Sequence, residues 1–482
     1  LGDVYKRQGV CRLLKDNSVR HLYCGGLYAS AASLFSSVLV QRATCPLVFI
    51  LGDMEEAGYF YHDLTQILGT EQVLFFPSSF RRAIKYGQKD AANEILRTEV
   101  LSRLQKGEEG LCVVTYPDAL AEKVVSRKEL GENTLKLHAG ERVDMNFVTD
   151  VLRSYGFEYV DYVYEPGQYA VRGSIIDVFS FSSEYPFRID FFGDEVESVR
   201  TFEVETQLSK EKKESIVIVP DLSHSLEKKG SGGMVSFLDF LPSDSLLAMR
   251  DFLWLRERIQ TVHDESLTPQ AIAARESEEN GAITLEGKLI DGGEFTLRAL
   301  DFRRMEFGNK PTGTPDATVS FHTTVQPIFH KNFDMVAESF REYLSRHYTI
   351  YICSDSLKQT DRIRAIFEDR GDNISFTAVE RTLHEGFADD TLRICVFTDH
   401  QLFDRFHKYN LKSDKARSGK VALSLKELNQ FTPGDYVVHT DHGVGRFAGL
   451  VRIPNGDTTQ EVMKIVYQNE DVVFVSIHSL HK

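Results

Sequence analysis

The stretch YEPGQYAVRGSIIDVF at residues 164–179 continues, after a short break, into PFRIDFFGDE at residues 186–195. Polar and apolar side chains alternate along both segments, which predicts neighbouring strands with two opposite faces. The residues that would share one face are Arg172, Arg188, Phe192 and Arg200. Together with nearby acidic residues they suit a protein interface with an aromatic anchor and charge pairs. From the residues alone, an ordinary solvated sheet face whose arginines do nothing specific is the preferred interpretation.

Upstream of this stretch, short apolar runs alternate with helical patterns. The strand-like runs are 21–24, 47–51, 73–76 and 111–114. Between them, residues 91–104 place apolar side chains near the 3.6-residue spacing of a helix. Strands that alternate with helices predict a parallel, doubly wound sheet.

The loop after the first predicted strand reads GLYASAAS, residues 26–33. A phosphate-binding loop uses glycines for close backbone approach, a lysine for charge and a final Ser or Thr for magnesium. Here alanines occupy the lysine position and the inner glycine positions. The positions that define this degenerate nucleotide loop are Gly26, Ala29, Ser30, Ala32 and Ser33. We predict the relic of a nucleotide-binding fold, and an ordinary strand-to-helix turn is the alternative.

Downstream, a further α/β pattern is followed by a polar, basic stretch at residues 408–420. From residue 434 the pattern becomes all-β, and several short strands close together predict a small barrel. Within it, His439, Asp441 and His442 do not predict a metal site, because strand alternation splits them between two faces.

The chain has 482 residues, of which 42% are hydrophobic and 26% charged, with a formal net charge of -15. This length predicts several folded domains of roughly 100 to 200 residues each. The acidic balance disfavours non-specific binding to a phosphate backbone. No apolar run approaches the ~20 residues of a membrane helix, so we expect a cytoplasmic protein without membrane contact.

The run from residue 164 to residue 209 resembles the UvrA-binding domain shared by the excision-repair protein UvrB and the bacterial transcription-repair coupling factors. The degenerate loop and the order of the later segments resemble the coupling-factor family over essentially the whole chain. Two departures from UvrB favour that family. The loop lacks its lysine, and residues 77–82 lead from a strand directly into a helix, which leaves no room for UvrB's damage-contacting hairpin.

This resemblance implies an α/β multi-domain protein. Its segments are a degenerate P-loop, UvrB-like parallel-sheet domain (1–137), an inserted α+β UvrA-binding domain (138–218), the second part of the UvrB-like module (219–326), a small α/β third domain (327–407), a basic linker (408–428) and a CarD- or Tudor-like small β-barrel (429–482). The third domain offers no functional residue and is expected to be a spacer with its own core.

The resemblance also implies partners. Arg172, Arg188 and Phe192 match the family positions that hold UvrA, and Arg200 lies nearby. The barrel is expected to bind the RNA polymerase β subunit through an exposed strand edge, with main-chain hydrogen bonds supplying affinity. The strand that matches best consists of Val462, Met463, Lys464, Ile465 and Val466.

We therefore predict a monomeric scaffold for transcription-coupled DNA repair that recruits UvrA and binds polymerase. In the family, a motor that uses ATP and magnesium and moves on double-stranded DNA follows the barrel. The pattern GxxxxGK[ST] does not occur in these 482 residues. We expect this fragment to have no cofactor, metal or catalytic residue and no ATPase activity. A UvrB-like damage-verifying ATPase and a stand-alone polymerase-binding regulator are the alternatives.

Overall fold

The computed structural model describes residues 9–10, 12–14, 16, 18–79, 91–204, 206–222, 234–266, 287–405, 407, 409, 411, 432–439, 442–455, 458–467 and 471–476. The chain divides into two compact units. The first unit combines residues 1–127 with 231–411, and the second combines residues 128–230 with 412–482.

The strands are β1 (His21–Gly25), β2 (Leu47–Ile50), β3 (Val73–Phe75), β4 (Cys112–Thr115), β5 (Val124–Val125), β6 (Leu135–His138), β7 (Glu158–Tyr159), β8 (Gln168–Arg172), β9 (Ile175–Val178), β10 (Phe187–Phe192), β11 (Glu195–Phe202), β12 (Ser209–Lys213), β13 (Ser215–Ile218), β14 (Met234–Val235), β15 (Leu246–Met249), β16 (Arg303–Glu306), β17 (Ala317–Ser320), β18 (Thr323–Val325), β19 (Thr349–Cys353), β20 (Thr377–Val379), β21 (Phe387–Asp389), β22 (Ile394–Thr398), β23 (Tyr436–His439), β24 (Gly443–Asn455), β25 (Thr458–Val466) and β26 (Val472–Ser476).

The helices are α1 (Ser30–Val40), α2 (Met54–Leu68), α3 (Ala91–Gln105), α4 (Pro117–Ala121), α5 (Arg127–Glu132), α6 (Met145–Ser154), α7 (Phe237–Phe240), α8 (Phe252–Ser266), α9 (Gly292–Ala299), α10 (Phe333–Ser345), α11 (Leu357–Asp369) and α12 (Asp399–Leu402).

The first unit is built on a seven-stranded parallel sheet in the order β17-β1-β16-β15-β2-β4-β3. Every residue of β2, Leu47–Ile50, is buried, as is typical of a parallel strand covered on both faces. The parallel sheet predicted from the sequence is confirmed. Strands β15 to β17 join it although the residues of the second unit separate them from β4 in the chain.

Residues 323–403 form their own layer within the first unit. A five-stranded sheet in the order β18-β21-β22-β19-β20 mixes antiparallel and parallel pairs. Its apolar face packs against α10 and α11 around Phe340, Ile350 and Phe397. This cluster lies inside the same compact unit as the parallel sheet, and the bounds 327–407 of a third domain stay a prediction.

The second unit contains a six-stranded sheet in the order β12-β11-β10-β9-β8-β7, antiparallel except for the β7–β8 pair. Helix α6 begins after Asp144, whose side chain accepts a hydrogen bond from the backbone N–H of Asn146. Val148 and Leu152 of this helix are fully buried with Tyr169 and Ile189 of the sheet. The sheet therefore has one covered face and one open face.

The second unit also contains a four-stranded antiparallel sheet in the order β23-β24-β25-β26. Its core is formed by Val437, Phe447, Met463, Ile465 and Val475. The all-β pattern predicted from residue 434 is confirmed at the level of strands. The predicted linker, 408–428, lies outside the described residues except for residues 409 and 411.

Candidate protein interface

The open face of the six-stranded sheet carries the residues singled out in the sequence. Along β10, Phe187, Ile189 and Phe191 are buried, whereas Arg188 and Asp190 are half-buried and Phe192 is exposed. This period of two directs the second group away from the core. We call this surface the open face; its members are Arg172, Asp177, Arg188, Asp190, Phe192, Ser198 and Arg200.

Strand register aligns these residues in rows. Arg188 of β10 lies opposite Asp177 of β9 and opposite Arg200 of β11. In the next row, Asp190 lies opposite Ser198, and Ser198 Oγ donates to Asp190 Oδ2 at 2.8 Å. Side chains opposite each other across strands share a face. The structure therefore brings the four predicted residues together on one surface.

Phe192 ends β10 immediately before a turn at Gly193, where φ is +60°. Its side chain is 79% exposed. An exposed ring at the tip of a hairpin contributes little to the fold and presents a large apolar area, the property expected of an interface anchor.

The three arginines differ in what they leave for a partner. The side chains of Arg172 and Arg200 are 36% and 38% exposed, but that of Arg188 is only 14% exposed. Arg188 donates to Asp177 through Nε and Nη2 and to the carbonyl of Gln207 through Nη1 at 3.1 Å. Its guanidinium also lies 4.5 Å from the centre of the Phe202 ring. Arg188 is thus largely engaged within its own unit.

Asp177, Asp190 and Ser198 are the residues of this face that the sequence pattern did not single out, and Asp177 is the most buried of them. It is 1% exposed and binds Arg172 as well as Arg188. A signal was available, because alternation along β9 places Asp177 on the arginine face. The pairing of β9 with β8 and β10 was needed to show which arginines it would meet.

The degenerate loop in the first unit has a different environment. Gly26 has φ of +80°, and a Cβ atom there would overlap the carbonyl oxygen of Phe321. The Thr323 hydroxyl donates to the carbonyl of Gly26 at 2.7 Å and accepts from the N–H of Tyr28 at 2.9 Å. The glycine therefore permits close approach of the chain's own backbone.

The hydroxyl groups of the loop are also hydrogen-bonded to other groups of the protein. Ser33 donates to Asp63 Oδ2 at 2.9 Å, and Asp63 Oδ1 accepts from the N–H of His384 at 2.7 Å. Ser30 accepts from the N–H of Glu385 at 3.0 Å. Burial raises the pKa of Asp63 to about 7. A buried carboxyl group thus lies beside the hydroxyl that would face magnesium in an intact loop.

A cavity of about 370 Å³ lies beside this loop. Its lining includes five carboxylic residues and one arginine, and these are Asp53, Glu55, Glu56, Asp63, Glu385 and Arg250. Arg250 is paired with Glu56 at 2.7 Å. A triphosphate would meet repulsion from these carboxylates and no lysine. Ala32, at the former lysine position, is buried at 2% exposure.

Several histidines pack where the layer of residues 323–403 meets α2 and the degenerate loop. The ring of His384 stacks on Tyr59 with 3.5 Å between centroids, and His400 stacks on His407 at 4.2 Å. His62 lies 5.0 Å from His407. Burial lowers the pKa of His384 to about 4 and that of His407 to about 3. These rings are therefore neutral at neutral pH.

The four-stranded sheet corrects one prediction. Strand β25, which contains Val462 to Val466, was expected to offer a free edge, but it pairs with β24 on one side and β26 on the other. Val462, Met463 and Ile465 are buried, and Lys464 and Val466 are half-buried. An interior strand has no unpaired backbone groups to offer a partner strand. The prediction of β25 as the docking edge is wrong.

Among the described residues, the edge strands of this sheet are β23 and β26. On β23, Tyr436 and Val438 are 71% and 74% exposed, and Val444, opposite Val438, is 63% exposed. On β26, Phe474 is 49% exposed. Exposed apolar side chains at an edge strand mark a surface suited to a protein partner.

The described residues show neither the arrangement of a metal site nor that of a membrane span. No group of three or more histidine, cysteine, aspartate or glutamate side chains there is arranged to hold a metal ion. No helix in the same residues has the length and apolar character needed to cross a membrane. Asp441 and the side chain of His439 lie outside the described residues.

Comparison with known proteins gives one family match for each of the two larger sheets of the second unit. Residues 135–224 match the UvrB interaction domain, and residues 431–482 match the CarD-like/TRCF RID domain. The first match contains the whole open face. The second contains all four strands β23 to β26.

Curated relatives align with nearly the whole chain. A transcription-repair-coupling factor of Staphylococcus aureus strain RF122 is 23% identical over 519 residues, and that of Bacillus subtilis strain 168 is 21% identical over 533 residues. Each alignment covers 94% of this chain and 44% of the relative. The chain therefore spans less than half the length of the relatives it matches.

Fold and comparisons together define a protein that joins a UvrB-type interaction domain to a CarD-like domain on one chain. That combination, with similarity along 94% of the sequence, resembles the transcription-repair-coupling factors that the chain matches. The resemblance stated from the sequence is confirmed.

Proposed function

We propose that this chain is the scaffold part of a transcription-repair-coupling factor, which recruits UvrA through the open face and binds the RNA polymerase β subunit through its four-stranded sheet. The observation that carries the first half is the open face itself. Two partly exposed arginines, Arg172 and Arg200, share it with the exposed ring of Phe192. The match to the UvrB interaction domain over the same residues supports this assignment.

Within this proposal, the four-stranded sheet closes as a small CarD-type barrel, and the parallel sheet is a UvrB-like relic. The motor of the family, with its ATP, magnesium and double-stranded DNA, belongs to the part of the relatives that this sequence does not cover. The whole protein would use the scaffold to bring UvrA to polymerase stalled in the cytoplasm. The chain would act as a monomer.

The UvrA assignment is tested by calorimetric titration of UvrA into the chain and its Arg172→Ala variant. We expect the variant to bind more weakly by more than about 1 kcal/mol, because a partly exposed guanidinium on a face that also carries an exposed aromatic ring is a typical hot spot. Lys128→Ala is the matched control, since that side chain is 82% exposed in the same unit. Equal affinity of Arg172→Ala and the wild type would contradict the assignment.

The polymerase assignment needs variants that the sheet tolerates. Ile465→Arg would bury a charge in the core and unfold the sheet, so it does not test binding. Val438→Arg and Phe474→Arg change exposed side chains on the two edge strands. We expect one of them to abolish binding to purified polymerase β subunit, which also identifies the docking edge. Full binding by both variants would refute this half of the proposal.

The first unit is proposed to hold no nucleotide and to hydrolyse no ATP. Support comes from the acidic lining of the loop cavity and from the loop hydroxyls, which the protein's own groups already bind. A fluorescent ATP analogue should show no saturable binding to the chain at millimolar magnesium. Saturable binding together with ATP turnover would favour the UvrB-like ATPase alternative.

A further inference from the structure

Asp177 occupies an unusual place on the open face. It lies on β9 between β8 and β10 and is 1% exposed. Arg188 reaches it from β10, with Nε donating to Oδ1 at 2.8 Å and Nη2 donating to Oδ2 at 2.9 Å. Arg172 reaches it from β8 and donates from Nη2 to the same Oδ2. One buried carboxylate thus binds two guanidinium groups from opposite sides.

This arrangement fixes the arginines before any partner arrives. The bidentate bond and the contact with the Gln207 carbonyl hold Arg188 in one orientation. Arg172 is anchored at one nitrogen, and its guanidinium lies 5.0 Å from the centre of the Tyr162 ring. An arginine that is already ordered loses less conformational entropy on binding.

The arrangement also sets the charge that a partner meets. Two guanidinium groups and one carboxylate leave one net positive charge at this cluster. Arg200 forms a separate pair with Asp190 on the same face. The exposed apolar group of the face is the ring of Phe192. A complementary surface would carry carboxylates around a recess that accepts an aromatic ring.

We propose that Asp177 is a positioning residue for partner docking, which orients Arg172 and Arg188 on the open face toward a carboxylate-bearing surface with an apolar recess. This inference rests on the proposed function, because UvrA is the partner with which it is tested. The inference makes different predictions for an effect of the cluster's net charge and for an effect of the orientation of its arginines. If charge alone mattered, removing the Asp177 carboxylate would strengthen binding to an acidic surface.

The test is calorimetric titration of UvrA into the full chain carrying Asp177→Asn. Asparagine keeps the shape of the side chain but cannot hold two guanidinium groups as a carboxylate does. We expect binding roughly tenfold weaker than that of the wild type. The matched control is Glu197→Gln, which removes an exposed carboxylate from β11 of the same sheet and should leave the affinity unchanged.

A second background distinguishes positioning from general damage to the fold. The second background is a chain that already carries Arg172→Ala. There, Asp177→Asn should lower the logarithm of the affinity for UvrA by less than half as much as it does in the wild-type chain, because the two residues act through each other. An undiminished effect would mean that Asp177 acts through fold stability, and it would overturn the inference. Thermal unfolding of each variant confirms that the compared chains are folded.

The remaining outcomes are also decisive. A wild-type chain that binds UvrA together with an Asp177→Asn chain that binds equally or more tightly overturns the positioning role and leaves the proposed function intact. Failure of the wild type to bind UvrA overturns both. If Asp177→Asn does not fold, Arg188→Lys replaces it, because lysine keeps the charge but cannot form the bidentate bond. Weaker binding of that variant supports the inference, and unchanged binding refutes it.

Discussion

The open face of the second unit and the relic loop of the first unit both carry residues that look functional in the sequence, yet they differ in what occupies them. On the open face, Phe192 is 79% exposed and two arginines remain partly accessible. At the loop, Ser30, Ser33 and Gly26 contact groups supplied by residues 321–323 and 384–385, directly or through Asp63. The open face is a surface available to a partner. The loop is a contact region inside the first unit, where residues 26–33 pack against residues 321–323 and 384–385.

The difference lies in which groups bind the polar atoms of each region. A nucleotide loop without its lysine still exposes backbone and hydroxyl groups that need hydrogen-bond partners. Here the layer of residues 323–403 supplies those partners, and the histidine cluster packs beside them. That layer therefore supplies hydrogen bonds to Asp63 and to the loop, which is a closer contact than a separate spacer would make.

The strongest test of the filled loop is Gly26→Ala. The new Cβ would overlap the Phe321 carbonyl oxygen. The alanine would also have to adopt φ of +80°, which L side chains rarely do. We expect the free energy of unfolding to fall by about 3 kcal/mol or more in urea denaturation. Gly107→Ala is the control, because its φ is +69° but no atom lies within 4 Å, and it should cost about 1 kcal/mol. Equal losses would show that the loop is not tightly filled.

The histidines that pack beside the loop predict that the stability of the fold depends on pH. The pKa values of His384 and His407, about 4 and about 3 in the folded chain, lie below the ordinary value of 6.5. The unfolded chain therefore binds protons first, so the stability is complete above pH 6.5 and falls as the pH decreases toward 4.

We expect this loss to be on the order of 2 kcal/mol, a figure reduced because both rings retain contact with solvent. Urea unfolding at several pH values measures it. A His384→Gln, His407→Gln double variant should show a flatter decline, whereas His138→Gln, at an exposed position of the second unit, should follow the wild type. Parallel declines of stability in all three chains would exclude His384 and His407 as the cause.

Ala29→Gly should stabilise the loop slightly. Ala29 has φ of +49° and ψ of -147°, a conformation that favours glycine and corresponds to an inner glycine of an intact phosphate-binding loop. We expect unfolding to require about 1 kcal/mol more. Ala31→Gly, within α1, should instead cost about 1 kcal/mol. The reverse order of the two variants would contradict the strain assigned to Ala29.

The smallest expected effect is on the open face. Phe192→Ala should change the free energy of unfolding by less than about 0.5 kcal/mol, because its ring is 79% exposed. Phe191→Ala, one residue earlier on the covered face and 4% exposed, should cost about 3 kcal/mol. A large loss for Phe192→Ala would mean that the ring supports the fold.

Much of the fold could be predicted because its signals are local. Alternation along β10 separates Arg188 and Phe192 from the core residues between them, and continuous apolar runs such as Leu47–Ile50 indicate a buried parallel strand. The same alternation could not show that β25 is an interior strand. A strand's place in a sheet depends on which other strands pair with it, and that choice is made by residues distant in the chain.

For this protein, the sequence by itself determined the faces of its strands, the missing lysine of its loop and its resemblance to the coupling factors. Tertiary structure decided that Arg188 is mostly buried against Asp177, that β23 and β26 are the edge strands among the described residues, and that Glu385 contacts Ser30, 355 positions away in the chain. The physical reason is that side-chain period follows from local backbone geometry, whereas hydrogen-bond partners and burial follow from packing between distant segments.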